Sequence, residues 1–313
     1  GVSSAASDVY KRQHMPDFTA VPQLRSTPPH EAGRLADMSA WLAAAQDSDK
    51  AQPLTRARAI IFAGTHGIAE RTIDGVGFGP HTSADAERWR EDITTAAQRA
   101  KAGVEFIDCA GAAPIDVSPA MSAEALEHHV ELGMQAADRE VDSGTDLLIT
   151  SDFGIGGETV AAAVMGRITH TEPVAILGTQ TAGGVTDDMW KTRVTIVRDA
   201  MFRARNLEGW EVVQTIGSPS LAALVGFIAQ AAVRRTPVLI DGPLAATAAV
   251  LAERSAPGVK GWLRAGSSSP EPAQALAFKE LGLSPLLDLN LSAGYPLGAL
   301  AALPLVQLAA ELA

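Results

Sequence analysis

The run Ala57-Arg-Ala-Ile-Ile-Phe-Ala63, followed at once by Gly64-Thr-His-Gly67, decides the fold. Five of its seven residues are alanine, isoleucine or phenylalanine in an unbroken block from Ala59. A short apolar run that stops at a glycine reads as a strand covered on both faces. Similar runs recur at Val104–Cys109, Asp146–Thr150, Val174–Leu177, Glu211–Gln214, Pro237–Ile240, Trp262–Ala265 and Leu286–Leu289. Helical periodicity lies between most of them, over 83–101, 122–139, 158–167, 188–205, 220–233, 243–254, 271–281 and 297–312. Strand, loop and helix in alternation predict an α/β fold, Rossmann-like, with a mostly parallel sheet flanked by helices. An earlier helix runs from Gly33 to Ala45, with Leu35, Met38, Trp41 and Leu42 on one stripe.

The chain divides accordingly. Residues 1–32 are polar and proline-rich and read as an arm. Residues 33–55 and 291–313 flank the α/β body, 56–290, and are expected to form a small helical subdomain from both chain ends. The formal charge of -11 argues against nucleic acid as a partner, because an acidic surface repels a polyanion. No run approaches a membrane span, and nothing reads as a signal peptide, so a cytoplasmic protein is expected. The one cysteine, Cys109, sits in an apolar strand and reads as a core thiol. The pair His128-His129 has no accompanying ligand set, so neither a metal nor a cofactor is expected.

In parallel sheets, ligands bind beyond the C-terminal ends of the strands. The loops at those positions are Gly64–Gly67, Asp152–Thr159, Gly178–Thr181, Gly217–Ser220, Asp241-Gly242, Gly266–Ser269 and Gly294–Gly298. They are expected to converge on one crevice. Gly154, Gly156 and Gly157 precede a helix and suit either a nest of amides around an anion or a tight turn with a cap. Glu158 within it repels an anion, yet an acid at a helix start is also ordinary. Asp152 suits a general base, a ribose-hydroxyl acceptor or a loop-stabilising carboxylate. His66 reads as structural or site-lining, and Asp241 as a turn residue or site residue. Lys191 and Arg193, early in a helix, either reach a phosphate or face solvent.

These loops resemble those of the nicotinate-nucleotide:dimethylbenzimidazole phosphoribosyltransferase family. The likeness runs from about Gly33 to the C-terminus. It is strongest over Ala59–Ala69, Thr145–Gly156 and Gly226–Gly242, and continues in order through Ala265–Pro272 and Leu276–Leu289. The resemblance implies a homodimer with a Rossmann-like sheet. It implies transfer of phosphoribose from nicotinate mononucleotide to 5,6-dimethylbenzimidazole or a related aromatic base. The products are nicotinate and an α-ribazole-type 5′-phosphate for the lower ligand of cobalamin.

The same resemblance assigns positions one at a time. The family's catalytic glutamate, in a Gly-Glu-Gly loop, falls on Tyr295 in Gly294-Tyr-Pro-Leu-Gly298. A second family acid falls on Asp152 and is retained. The Asn-Thr of the phosphate loop becomes Gly157-Glu158, and Thr159 stays. The first loop's Asp-His-Gly becomes Thr65-His66-Gly67. The base-binding Ser-Ala-Tyr-Pro becomes Gly77-Phe78-Gly79-Pro80, and Gly-His-Arg-Ser becomes Gly266-Ser267-Ser268-Ser269. A family lysine aligns with Arg193, with Lys191 two residues away, and an acid becomes Ser220. The substrate-binding set is therefore Thr65, His66, Phe78, Gly154, Gly156, Gly157, Glu158, Thr159, Gly178, Lys191, Arg193, Ser220, Asp241, Gly266, Ser267 and Ser268, with Asp152 and Tyr295 catalytic. Three readings follow. One is an enzyme of this family, either with Asp152 as base or with a different acceptor and Tyr295 only shaping the pocket. The second is a relative that binds nucleotide or base without turnover. The third is other enzyme chemistry on the same scaffold.

Overall fold

A computed structural model describes residues 33–71, 83–177, 187–291 and 296–312. The arm 1–32, Phe78, Gly178 and Tyr295 lie outside the described residues.

Among the described residues, five parallel strands form one sheet in the order β2-β1-β3-β4-β5: β1 Ala57–Ala63, β2 Ala102–Asp108, β3 Leu147–Phe153, β4 Val238–Ile240 and β5 Leu263–Ala265. The chain steps from β1 outward to β2, then crosses back to β3 on the other side of β1. The loops leaving β1 and β3 therefore diverge, and such a switch point opens a crevice at the strand ends.

Strand alternation sends successive side chains to opposite faces. Ala59 and Ile61 of β1, with Leu147, Ile149 and Phe153 of β3, join one core. The helices α1 (Gly33–Ala45), α2 (Ser83–Arg99) and α11 (Leu297–Glu311) cover it through Trp41, Leu42, Ile93, Leu300, Leu303 and Val306. Ile60, Phe62, Leu148 and Ile240 face the larger core on the other side. That side is built from α3 (Ala123–Asp142), α4 (Gly157–Thr169), α6 (Asp187–Arg203), α7 (Trp210–Ile216), α8 (Pro219–Val233), α9 (Pro243–Ser255) and α10 (Pro272–Leu281), with the four-residue α5 at Pro173–Ile176. Helices α3 and α8 meet at reciprocal notches: a Cβ on Gly133 would collide with the Ala223 carbonyl, and one on Gly226 with that of Val130. Among the described residues, no helix is long and apolar enough to cross a membrane.

Four expectations need correction. Val174–Leu177 and Glu211–Gln214 are not strands but lie within or overlap α5 and α7. Pro173 occupies the first helical position of α5, where its missing N–H is harmless. In α7, Val212, Val213 and Ile216 are buried, a spacing that lines up on a helix and not on a strand. Leu286–Leu289 adds only a single parallel bridge, Ser267 to Leu287, at the end of β5. Strand β3 also runs on to Phe153, so Asp152 is a strand residue and not the first residue of a loop.

Trp41 ties the first helix to the body. It is fully buried, its indole N–H donates to the Gly261 carbonyl at 3.0 Å, and the Arg264 guanidinium lies 4.6 Å from its ring centre. Trp41→Ala is expected to lower stability by about 3–5 kcal/mol, read from the midpoint of urea unfolding at unchanged slope.

Candidate active site

The site starts where β1 and β3 end. The Gly64 amide donates to the Phe153 carbonyl at 3.0 Å. A Cβ on Gly154 would run into the Gly64 carbonyl, so the two loops touch backbone to backbone only because residue 154 is glycine. Ser220, at the start of α8, packs on Gly64 from the other side, and its hydroxyl pairs with that of Ser218 at 3.1 Å. The Thr65 side chain is exposed, while its carbonyl accepts from the Ala112 amide at 2.8 Å. His66 points inward. Its Nδ1 has no hydrogen-bond partner, and burial pushes its pKa down to about 4, so it is neutral at pH 7.

Gly156 takes φ +92°, a left-handed conformation that turns the chain into α4 beside Ile68 and His66. Asp152 pairs with Phe62 in the sheet, and alternation directs it onto the α4 side. A Cβ on Gly157 would strike its carboxyl, so Asp152 lies against the first turn of α4. Burial pushes Asp152 up to about 7, opposed by its own backbone amide. Glu158 is the second residue of the helix and is 5% exposed, and its Oε2 has no hydrogen-bond partner. Burial, then the neighbouring Asp152 and Glu271, push its carboxyl well above the ordinary range. Its own backbone amide, and then Arg193, pull the other way.

Arg193 is 1% exposed. Its Nη1 and Nη2 donate to the two oxygens of Glu271 at 3.2 and 3.1 Å, and its Nε donates to Thr159 Oγ1 at 3.1 Å. One guanidinium thus joins α6, α4 and the residue ahead of α10. Lys191, on the same helix, turns outward and pairs with Asp188 at 3.8 Å, its side chain 67% exposed. The structure does not bring it to Asp152 or Glu158.

A second cluster forms at the ends of β4 and β5. Asp241 accepts from the Ala299 amide at 3.0 Å, so it caps the first turn of α11. Burial pushes its carboxyl up to about 7, against the amides of Ala299, Gly298, Gly242 and Ser267. A Cβ on Gly298 would overlap Ser267 and Asp241, and one on Gly266 would overlap Ala299, so α11 starts flush against this cluster. Ser267 is buried, while the Ser268 hydroxyl donates to Asp288 at 2.5 Å. Outside both clusters, the nitrogens of His129 are taken by the Ala110 amide and the Ala125 carbonyl.

Sequence reading missed Glu271. The usable signal was an acid directly ahead of Pro272, at a helix start close to the Gly266–Ser269 loop. Arg193→Met leaves the Glu271 carboxylate buried without its partner and is expected to destabilise the protein by about 3–5 kcal/mol. Replacing both residues, as in R193M with E271L, is expected to recover most of that loss in the same denaturation measurement.

A family model described as phosphoribosyltransferase matches residues 10–313. The nicotinate-nucleotide–dimethylbenzimidazole phosphoribosyltransferase of Corynebacterium glutamicum is 37% identical, over 98% of this chain and 91% of its own length. The protein of the same name from Mycobacterium avium is 39% identical over 88% of this chain and 85% of its own length. The crystal structure of CobT from Thermus thermophilus superposes with a TM-score of 0.81 at 27% identity, covering 97% of this chain and 95% of that one. Sequence and fold together make this chain a member of the nicotinate-nucleotide–dimethylbenzimidazole phosphoribosyltransferase family.

Proposed function

We propose that this protein transfers the phosphoribosyl group of nicotinate mononucleotide to 5,6-dimethylbenzimidazole or a related aromatic base. The products are nicotinate and an α-ribazole-type 5′-phosphate for the cobalamin lower ligand. The observation that carries this reading is Asp152, a buried carboxyl at the β1/β3 switch point, held beside neutral pH by burial. A base for this reaction works best with a pKa near the operating pH.

The acceptor's unprotonated ring nitrogen attacks C1′ from the face opposite nicotinate. The bond from C1′ to the nicotinate nitrogen breaks, and its electron pair stays on that nitrogen. The proton on the acceptor's other ring nitrogen passes to Asp152. By the resemblance Tyr295 stands at the family's glutamate position, and a phenol with an ordinary pKa of about 10 is a poor base there. His66, Thr159, Arg193 and the Asp241–Ser267 cluster hold the donor or the loops around it. The substrates are small molecules. A homodimer in the cytoplasm is part of the same reading. It is supported by Leu305 and Leu308 exposed along α11, by Leu312 exposed just after it, and by a single cysteine. A monomer mass by sedimentation would remove the dimer.

The test is incubation with both substrates and detection of the ribazole phosphate. Asp152→Asn is expected to lower kcat by about 10²–10⁴-fold. In the unaltered protein kcat/KM is expected to rise with pH through about 7, as Asp152 ionises, and in D152N that limb is expected to vanish. Tyr295→Glu restores a carboxyl at the family position and is expected to raise kcat. The second reading, binding without turnover, draws on Glu158 at the helix start and on Tyr295. Nucleotide binding with no product at any pH would establish it.

A further inference from the structure

We infer that Glu158 works uncharged, its protonated carboxyl serving at the first turn of α4 as a hydrogen-bond donor to an oxygen of the donor's phosphate. The inference rests on the transfer reaction proposed above and adds to it a residue that ties donor binding to a proton.

The geometry comes first. The opening amides of a helix have no intrahelical acceptor and favour an anion. Glu158 is the second residue of α4, nine-tenths buried, with Oε2 facing no partner. A buried polar atom with nothing to bond is a group waiting for one. The charged groups facing Glu158 are Asp152 from β3, Glu271 ahead of α10 and Arg193 from α6. His66, in the loop after β1, packs at the same helix start and is neutral at pH 7. Arg193 is engaged with Glu271 through both terminal nitrogens and with Thr159 through Nε. Three buried carboxylates around one guanidinium are strongly unfavourable, and the smallest change that relieves them is a retained proton. Glu158 is where it stays, because it faces both other acids. A protonated carboxyl has an O–H donor and a carbonyl, the same shape and polarity as a primary amide. Ionised, the same group would oppose a phosphate.

Glu158→Gln keeps a neutral donor at every pH, and Glu158→Ala removes it. Titration calorimetry with nicotinate mononucleotide at about pH 7 is expected to give E158Q within about threefold of the unaltered protein and E158A weaker by about tenfold. As pH rises toward the folded pKa of Glu158, binding to the unaltered protein is expected to weaken progressively, and binding to E158Q to hold. Nicotinate riboside, lacking the phosphate, is expected to show no such difference between the two proteins. A Gln variant as weak as the Ala variant would overturn the inference, and so would parallel losses with pH.

Unfolding supplies a readout that needs no ligand. A carboxyl whose folded pKa is raised contributes stability that is complete below its ordinary 4.5 and lost as pH climbs toward the folded value. E158Q is therefore expected to gain in Tm over the unaltered protein progressively as pH rises above about 4.5. A gap that stays flat or reverses means that Glu158 is ionised in the fold, and the inference falls. A widening gap with no nucleotide binding by the unaltered protein sinks the phosphate contact and the proposed reaction together. Binding that behaves as described, without product, sinks the reaction alone.

Discussion

One guanidinium sets the terms for the whole site. Arg193 is buried, gripped in parallel by both oxygens of Glu271, and fixed to Thr159 by its third nitrogen. Such a fork holds direction as well as charge, which a lysine ammonium does not. It locks α6 to the start of α4 and to the residue before α10, three elements that the sheet alone does not join. It also limits the positive charge within reach. Among the groups acting on Glu158, Arg193 is the one cation against Asp152 and Glu271. Burial first, and then that imbalance, push the Glu158 carboxyl well above the ordinary range.

The other constraint is steric. At the ends of β1 and β3 the backbone of Gly64 meets Gly154, and the hydrogen bond from Gly64 to Phe153 closes the gap. That contact sets the depth at which Asp152 sits. The strand carries Asp152 to the α4 side, and the missing side chain at Gly157 leaves room for its carboxyl over the first turn. Charge and packing therefore converge on the same few atoms. The same logic operates at the far end of the sheet, where Asp241 caps α11 and Gly298 lets that helix start against Ser267. The end of β4 thereby supports the start of the last helix, just after Gly294-Tyr295.

The parallel sheet was legible because its strands are buried on both faces. An unbroken apolar run of five residues, Ala59–Ala63, that ends in glycine is too short for a core helix and too apolar for a half-exposed strand. Ala57–Ala63 needed no adjustment. The same rule failed at Val174–Leu177 and Glu211–Gln214, where β-branched residues outweighed better signals, Pro173 at a helix start and the one-and-four spacing of Val212, Val213 and Ile216. Of the site, His66 and the glycine loop were readable because they follow strands, and Asp152 because it lies at the C-terminal end of one. The split between Lys191 and Arg193 was not, since the two share a helix and only packing decides which one turns inward. Glu271 was passed over because no single sequence shows that an acid 78 residues beyond Arg193 is its partner.

Two adjacent substitutions at the start of α4 act as one. By the resemblance, Gly157-Glu158 stands where the family has Asn-Thr. The first change vacates the space that the Asp152 carboxyl occupies. The second places another carboxyl beside it in the core. Taken singly, each loses a neutral donor at a helix start. Taken together, they exchange two fixed donors for a pair of interacting acids whose proton count adjusts to what is bound. Thr159, which the resemblance retains, accepts from the Arg193 Nε through its hydroxyl. A site altered in this way still favours an anion, but only while it carries a proton of its own. In such a site the proton is as much a part of the binding surface as any side chain.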